Sequence, residues 1–410
     1  MDSLAYLFSL EQFGIKFGLE NIRSILRQLG DPHRAFRTVH IAGTNGKGSV
    51  TAMVESALRA AGHRTARYTS PHLVDLSERF VIGGAPVDPS SLLAAADDVR
   101  AAIETLRGRG SLEVMPTFFE ATTAVAFELF RRASVEMAVV EVGLGGRLDA
   151  TNVVVPEAAA ITSIALDHQL YLGSTLRSIA IEKAGIIKPG VPVVVGPLDA
   201  EAATAIDEVA RERRAPIHRA KPDDVVNRTI GLAGLHQRTN AAVAVTLIEV
   251  LASRGIDVPA AAVEAGLADP RWPGRIDRRT LPDGREVVLD AAHNPAGAEA
   301  LANYLRSEAP PMPLVFAAMR DKDAGGMLRP LLKQVSGVTF TRASNQRAAD
   351  PHQLAAIARE VAPSVASVIE PSLPRALEHA WTRSPRILVA GSIFLLGDVL
   401  QHLGLPAYRT

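Results

Sequence analysis

The sequence predicts an α/β protein with two domains. Short apolar runs alternate with longer segments of helical periodicity, which is typical of parallel sheets covered by helices. The chain has 410 residues, whereas single hydrophobic cores rarely extend beyond about 250–300 residues. The alternation pauses at 269–277, where two prolines and a glycine fall within five positions. We therefore expect an N-terminal domain over 1–275 and a smaller C-terminal domain over 276–410.

The expected strands lie on both sides of this break. In the first domain an apolar helix follows the first strand, because Val50, Met53, Val54 and Ala57 recur at helical spacing. Gly62 is expected to end that helix. The second domain repeats the alternation, so we expect a Rossmann-like sheet there. The predicted strands cover 38–42, 137–142, 159–166 and 192–196, then 286–289, 313–317, 338–341 and 386–389.

Composition excludes several kinds of protein. The 44 basic residues balance the 44 acidic ones, and no block of like charge predicts a nucleic-acid or membrane surface. The chain has no cysteine, which excludes disulfides, cysteine zinc sites and thiol nucleophiles. The start of the chain lacks a secretory pattern, and no apolar run approaches the ~20 residues of a spanning helix. We therefore expect a cytoplasmic monomer that binds neither nucleic acid nor membranes.

A glycine-rich loop stands between strand 38–42 and the helix, which is the context of a phosphate-binding P-loop. Backbone N–H groups of such a loop face phosphate oxygens, and the helix N-terminus adds its positive dipole end. The motif departs from G-x-x-x-x-G-K-[ST]: two residues separate its first two glycines and a third glycine follows the lysine. A plain connecting turn is therefore the alternative. The residues expected to bind ATP phosphates are Gly43, Thr44, Asn45, Gly46, Lys47, Gly48 and Ser49.

Polar side chains also follow other predicted strands. Ser70 follows a short β-rich run, Glu141 interrupts an apolar one, and Asp167 and His168 end a third. Ligands collect at the carboxyl ends of parallel strands, and Mg²⁺ prefers oxygen ligands, sometimes with an imidazole. Glu141, His168 and Ser49 thus form a candidate metal cluster. Taken singly, the acid could instead face a lysine and the histidine could be a hydrogen-bonded core residue.

A second glycine-rich segment, 142–152, directly follows Glu141. Three glycines fall within four positions, with Arg147 and Asp149 just beyond them. Glycine permits close approach of a backbone, and an aspartate can accept hydrogen bonds from an aminopyrimidine-like ring. The segment alone is weak evidence for a substrate pocket.

Together these segments make the chain resemble the folylpolyglutamate synthase and dihydrofolate synthase family, a branch of the Mur-ligase-like ATP-dependent amide ligases. The matching motifs occur in the family's order and continue to Gly391 and Ser392. They are HIAGTNGKGS (40–49), TSPHL (69–73), EVGLGGRLDATN (141–152), TSIALDH (162–168), EKAGI (182–186), GLHQRTN (234–240), WPGR (272–275) and DAAHNP (290–295).

The resemblance implies a role for each matching residue. Lys47 and Ser49 would hold the phosphates and a first Mg²⁺, and a second Mg²⁺ would use a carbamylated Lys183, although periodicity alone places that lysine on a helix surface. The implied metal ligands are Ser49, Ser70, Glu141, His168 and Lys183, and the implied catalytic residues are Lys47, His168 and Lys183. Further implied ATP contacts are Asn240, Arg275, Asp290 and His293. The implied substrate-binding residues are Arg147, Asp149, Ala150 and Ser392.

The resemblance also implies the reaction. ATP and two Mg²⁺ would convert the carboxylate of a folate or of dihydropteroate into an acyl phosphate, which the amino group of L-glutamate attacks. The chain departs from the family at 169–171, where Gln-Leu-Tyr replaces the usual threonine and acidic residue. Two alternatives stay open: another Mur-type amino-acid ligase, and a P-loop nucleotide switch that performs no ligation.

Overall fold

A computed structural model describes residues 2–14 and 16–408. Two sheets are covered by helices, which confirms the predicted α/β class. The chain forms two compact units. The first comprises 1–164, 175–229 and 239–270, and the second comprises 165–174, 230–238 and 271–410. The second unit thus includes two short segments from within the sequence of the first, whereas a boundary of domains at 275 remains a prediction.

The first unit contains an eight-stranded sheet. Its strands are β1 (Arg37–Ala42), β2 (Thr65–Tyr68), β3 (Phe80–Ile82), β4 (Ala85–Pro86), β5 (Met137–Glu141), β6 (Ala158–Ile161), β7 (Val193–Val195) and β8 (Ile217–Arg219). Their order is β4-β3-β2-β5-β1-β6-β7-β8, and the antiparallel pairs are β2 with β3 and β3 with β4, whereas the other pairs of neighbouring strands are parallel. The four strands predicted for this unit are all present, with ends that shift by up to five residues.

Helices cover this sheet on both faces. Those of the first unit are α1 (Ser3–Ser9), α2 (Glu20–Gln28), α3 (Lys47–Ala60), α4 (Pro89–Gly108), α5 (Phe118–Arg132), α7 (Leu176–Ala184), α8 (Ala200–Glu212) and α10 (Ala260–Ala268). The short helix α6 (Gln169–Leu172) belongs to the second unit, and α9 (His236–Ser253) begins there and continues in the first. Single 3-10 turns occupy Leu10–Phe13, Pro32–Arg34, Leu76–Arg79, Ala150–Val153 and Pro222–Val225.

Local sequence explains where these helices begin and end. Asp88 caps α4 in front of a proline, and Thr117 and Glu120 form a capping box at α5. Gly62 has a left-handed conformation two residues beyond α3, as expected for a helix stop. Helix α3 is buried along almost its entire length, so the loop that precedes it is fixed to the interior of the unit.

The second unit contains a six-stranded sheet. Its strands are β9 (Asp277–Thr280), β10 (Glu286–Asp290), β11 (Pro313–Phe316), β12 (Gly337–Phe340), β13 (Ser367–Ile369) and β14 (Arg386–Ala390). The order is β13-β12-β11-β14-β10-β9, with only β9 antiparallel. The packed helices are α11 (Pro295–Leu305), α12 (Ala324–Leu331), α13 (Pro351–Val361), α14 (Leu373–Trp381) and α15 (Ile393–His402). The mainly parallel order confirms the Rossmann-like prediction.

Candidate functional site

The nucleotide loop, residues 43–49, connects β1 to α3. Gly43 and Gly46 both have positive φ, at 152° and 86°. A side chain at Gly43 would collide with the Thr162 hydroxyl, and one at Gly46 would collide with the Asn240 amide. Both positions therefore require glycine, and Asn240 packs directly against the loop, while its contact with ATP remains a prediction.

The end of β6 holds the nucleotide loop in place. The Thr44 N–H donates to the Ser163 carbonyl at 2.8 Å, and the Asn45 N–H donates to the Ser163 hydroxyl at 2.9 Å. The Thr162 hydroxyl donates to the Asn45 carbonyl at 2.6 Å. The strand predicted at 159–166 is too long for this reason: pairing ends at Ile161, and the next two residues bind the loop instead.

Lys47 folds back over the loop that contains it. Its ammonium donates to the carbonyls of Gly43 and Thr44, at 3.1 and 3.2 Å, and lies 4.0 Å from the Glu141 carboxylate. The lysine begins α3, and its N-cap, Gly46, has no side chain to occupy the helix N-terminus. The positive end of α3 and a cation thus lie beside one carboxylate, which is an arrangement suited to phosphates with a bound cation.

Three of the predicted metal ligands are buried in the first unit. Glu141 ends β5 and is paired in register with Ile41 of β1, while Ser49 lies in the first turn of α3. Lys183 is also buried, with 5% of its surface exposed, so the surface position suggested by helical periodicity is wrong. Ser70 is half-buried and precedes a cis proline. These oxygen donors and a lysine that CO₂ can convert into an anion fit a hard divalent cation.

His168 belongs to the second unit and has a left-handed backbone conformation, with φ of 50°. No group of three or more histidine, cysteine, aspartate or glutamate side chains with metal-site spacing occurs within 2–14 and 16–408. The predicted ligand set consists largely of serine and lysine atoms, so that finding leaves it untested. A shared metal cluster of Ser49, Glu141 and His168 remains a prediction.

Residues 143–152 form most of the second glycine-rich segment, and we call them the acceptor loop after the substrate predicted to bind there. Asp149 is buried and caps the turn Ala150–Val153. Its carboxylate accepts hydrogen bonds from the N–H groups of Leu144 and Thr151, at 2.8 and 3.0 Å, and from the Thr151 hydroxyl. Burial raises the pKa of this carboxyl group. Asp149 therefore shapes the loop from inside, while its contact with a substrate remains a prediction, as does that of the buried Ala150.

The acceptor loop packs against the C-terminal end of α7, which contains Lys183. The Arg147 N–H donates to the Glu182 carbonyl at 2.8 Å, and the exposed Arg147 side chain pairs with the Glu182 carboxylate, also at 2.8 Å. A Cβ at Gly146 would lie 2.8 Å from the carbonyl oxygens of Glu182 and Lys183. The two backbones thus touch where only glycine fits, and the arginine predicted to bind substrate joins the loop to this helix.

Asn152 and Lys188 form further hydrogen bonds where the acceptor loop meets the end of α7. The Asn152 amide donates to the carbonyls of Arg147 and Gly185, at 2.9 and 3.1 Å. Its carbonyl oxygens, on the side chain and on the backbone, accept from the Lys188 ammonium at 2.7 and 2.8 Å. Burial lowers the pKa of Lys188 to about 8, with repulsion by Arg23 and Arg213 as smaller causes. Lys188 was not predicted from the sequence.

An aromatic wall lies beside the acceptor loop. Phe119 stacks on Tyr68, with ring centroids 5.9 Å apart, and a Cβ at Gly143 would contact the Phe119 ring. The buried Arg79 guanidinium lies 5.1 Å from the Phe118 ring centroid and donates to His72 Nδ1 at 3.0 Å. Sequence reasoning missed Phe118 and Phe119, because aromatic side chains in a helix are normally interpreted as core.

In the second unit the predicted nucleotide contacts surround the carboxyl end of β10. The Asp290 carboxylate accepts from the N–H groups of Ile276 and Ala292, both at 2.9 Å, and burial raises its pKa. Arg275 and His236 lie close enough to lower that pKa in part. His293 is half-buried, with Nδ1 2.8 Å from the Ala291 carbonyl oxygen. Asp290 thus orders the backbone turn that presents His293.

Ser392 lies at the carboxyl end of the adjacent strand β14. Its side chain is buried and accepts from the Phe394 N–H at 3.2 Å, capping α15. This cap explains the serine structurally, so its predicted contact with glutamate remains a prediction.

Asp167 is the center of a buried polar cluster in the second unit. It accepts from the Lys322 ammonium at 2.5 Å and from the Asn294 amide at 3.0 Å. The same ammonium lies 3.3 Å from Nε2 of His168. The charges and hydrogen bonds of His293, His168 and Lys322 hold the pKa of Asp167 well below its usual range despite burial. Lys322 was not predicted, although an acidic and basic run at 320–323 just past strand β11 could have identified it.

Comparisons with known proteins agree with these features. A family model described as dihydrofolate synthetase, C-terminal domain, matches residues 277–402. The Bacillus subtilis protein named dihydrofolate synthase/folylpolyglutamate synthase is 32% identical over 428 residues, covering 98% of this chain and 98% of the relative.

Solved structures resemble the whole fold. A Mycobacterium tuberculosis folylpolyglutamate synthase complexed with ADP and AMPPCP gives a TM-score of 0.89 at 32% identity, covering 99% of this chain and 100% of that one. A Yersinia pestis bifunctional folylpolyglutamate synthase/dihydrofolate synthase complexed with AMPPNP and Mn ion gives 0.85 at 30% identity, covering 99% and 98%.

Proposed function

The chain belongs to the folylpolyglutamate synthase and dihydrofolate synthase family, and on that premise we propose that it uses ATP to join L-glutamate to a folate-type carboxylate. One observation supports this most directly. The nucleotide loop and the acceptor loop leave the neighbouring strands β1 and β5, whose ends pair in register at Ile41 and Glu141. Two substrates bound at these loops would therefore meet at one edge of the same sheet.

The first step we propose is phosphoryl transfer from ATP to the acceptor carboxylate. The oxygen of that carboxylate attacks the γ-phosphorus, the bond to the β-phosphate oxygen breaks, and ADP leaves. Lys47 and the backbone N–H groups at the start of α3 would stabilise the phosphate oxygens. The product is an acyl phosphate, from which phosphate is a far better leaving group than oxide would be from the free carboxylate.

In the second step the amino group of L-glutamate attacks the acyl carbon, phosphate leaves, and the nitrogen loses a proton to form the amide. No nucleophilic side chain is required. His293 and Ser392 of the second unit are the residues we assign to the nucleotide and to glutamate, respectively, and Asn240 and Arg275 to the nucleotide.

We assign five residues to Mg²⁺, in two sites: Ser49, Ser70, Glu141, Lys183 and His168. Bound there, Mg²⁺ would neutralise charge on the transferring phosphoryl group. For Lys183 we propose carbamylation: the neutral amine attacks CO₂, a nitrogen–carbon bond forms, and a proton is released. Its buried position, where α7 packs against the acceptor loop, supports this assignment, because a carbamate there would give Mg²⁺ a buried anionic oxygen ligand.

The acceptor is either dihydropteroate, a folate that already carries glutamate, or both, and we propose that the protein acts as a monomer. No helix of the described chain is both long and apolar enough to cross a bilayer.

The test incubates purified protein with ATP, Mg²⁺ and L-glutamate, and with dihydropteroate or tetrahydrofolate as acceptor. We expect mass spectrometry to detect the acceptor with one added glutamate, and phosphate release to require both acceptor and glutamate. Release at an unchanged rate without them would favour a nucleotide switch and contradict the ligase. Absence of product from both acceptors would contradict the folate assignment.

A further inference from the structure

A buried polar chain runs from β1, the strand that leads into the nucleotide loop, to the acceptor loop. His40 lies on β1 and is fully buried, and its Nε2 lies 2.9 Å from the Thr151 hydroxyl oxygen. Thr151 is also fully buried and donates its hydroxyl hydrogen to the Asp149 carboxylate. The Asp149 carboxylate accepts in turn from the Leu144 N–H at 2.8 Å.

Hydrogen bonding fixes the direction of this chain. The only hydroxyl hydrogen of Thr151 points at Asp149, so the Thr151 oxygen must accept from His40, which therefore carries its proton on Nε2. His40 Nδ1 is buried and finds no hydrogen-bond partner in the described part of the chain. The neutral imidazole is thus fixed in one tautomer, and its single N–H donates to the Thr151 hydroxyl oxygen.

This series of hydrogen-bonded side chains joins β1, which leads into the nucleotide loop, to the acceptor loop. His40 stands three residues before Gly43, and Asp149 ties both ends of the acceptor loop, from Leu144 to Thr151. Without the Thr151 hydroxyl, His40 would lose its acceptor, and Asp149 would lose one of the donors that orient its carboxylate. A buried donor without a partner is unfavourable, so the loop would relax away from its present position.

We propose that Thr151 and His40 are positioning residues for the acceptor, holding residues 143–152 in the conformation that binds the folate-type substrate. This inference rests on the proposed function for the identity of the acceptor. Neither residue touches a reacting atom. Their effect should therefore fall on the acceptor and on the order of the loop, while ATP binding, which uses the other loop, stays nearly unchanged.

The test compares three substitutions. Thr151→Val keeps the shape and removes the hydroxyl, whereas Thr151→Ser keeps the hydroxyl. The matched control is Thr51→Val, because Thr51 is equally buried on α3 and its hydroxyl has no hydrogen-bond partner among the described residues. We expect Thr151→Val to raise the KM for the acceptor at least fivefold and to change the KM for ATP less than twofold. The serine variant and the Thr51 control should both remain within twofold of wild type.

Hydrogen exchange of the ligand-free protein supplies a readout that needs no turnover. Amides of 143–152 should exchange at least tenfold faster in Thr151→Val than in wild type, and no faster in Thr51→Val. An unchanged acceptor KM together with unchanged exchange would overturn the proposal, as would equal increases in both KM values. Suppose that exchange is faster in Thr151→Val but that the wild-type protein forms no product. That result would contradict the proposed function and still support the role of Thr151 in anchoring the loop.

If Thr151→Val is insoluble, substitutions of His40, the partner of Thr151 in this hydrogen bond, test the same contact. His40→Met removes the donor at similar volume, and His40→Gln preserves an N–H donor. Faster exchange of the acceptor loop in the methionine variant alone supports the proposal. Equal exchange in both variants contradicts it.

Discussion

The nucleotide loop and the acceptor loop are both glycine-rich and both follow a buried parallel strand, yet they are built in opposite ways. The nucleotide loop is anchored from outside by Thr162 and Ser163, which bind its backbone. Lys47 donates to two carbonyl groups of the same loop and lies beside Glu141. The acceptor loop also has partners outside it, but its own side chains, Asp149 and Asn152, form hydrogen bonds to its backbone from inside. Glycine content therefore does not distinguish the two loops, whereas the pattern of the hydrogen bonds that anchor them does.

The strongest test of this contrast is Lys47→Met. We expect a loss of turnover on the order of 10³-fold, because the cation that neutralises the transferring phosphoryl group would be absent. Steady-state rates of phosphate release measure the effect. Lys221→Met, at an exposed position, is the matched control and should leave the rate unchanged. A loss below tenfold would show that Lys47 does not act on the phosphates.

The acceptor side contributes through Lys183. We expect Lys183→Met to lower turnover about 10²- to 10³-fold, because an anionic metal ligand formed from CO₂ would be absent. Independently of activity, ¹³C NMR of wild-type protein supplied with ¹³C-bicarbonate should show a carbamate signal that is absent from the variant. A signal of equal intensity in both proteins would locate any carbamate elsewhere.

Gly185→Ala tests the contact between the acceptor loop and α7. A Cβ there would collide with the backbone and Cβ of Arg147, so we expect a loss of about 2–3 kcal/mol in stability, since overpacking of rigid groups forces the backbone to shift. The midpoint of thermal unfolding measures this. Gly325→Ala provides the contrast, because its Cβ would have only ordinary contacts at 3.6 and 3.7 Å. Equal thermal midpoints in the two variants would mean that the acceptor loop accommodates the added methyl group without a loss of stability.

The smallest expected effect concerns pH and His40. Burial lowers the pKa of His40 to about 3, with repulsion by Lys188 as a second cause, from 6.5 in an exposed histidine. Between these values the unfolded chain binds a proton that the folded protein excludes, so His40 costs stability increasingly as pH falls below 6.5. At pH 5 this cost is about 2 kcal/mol. We therefore expect the midpoint of thermal unfolding of His40→Gln to rise relative to that of wild type as the pH is lowered from 7.5 to 5. A difference between the two midpoints that does not change with pH would contradict the lowered pKa of His40.

Much of this molecule could be predicted from sequence because its signals are local. The strand before Gly43, the amphipathic run after it and the end of α3 at Gly62 each depend on neighbouring residues. The motif order also predicted the family, and the comparisons confirm it. Ends of strands were less accurate, since β6 ends early where its next residues bind a loop 117 or more positions away.

Residues that act through distant contacts could not be predicted. Periodicity places Lys183 on the outward side of a short helix, whereas the structure buries it where the acceptor loop packs against that helix. Thr151 and Lys188 each form hydrogen bonds across long sequence separations, so no local pattern marks them.

The sequence by itself determined the α/β class, the glycine-rich turn between β1 and α3 and the membership of the family, because apolar periodicity, glycine spacing and short motifs are properties of neighbouring positions. Only the tertiary structure decided which glycine-rich loop is anchored from outside and which from inside. It also decided that Lys183 is buried and that His40, Thr151 and Asp149 form one chain, because hydrogen-bond partners and burial depend on segments that meet only when the sheet is assembled.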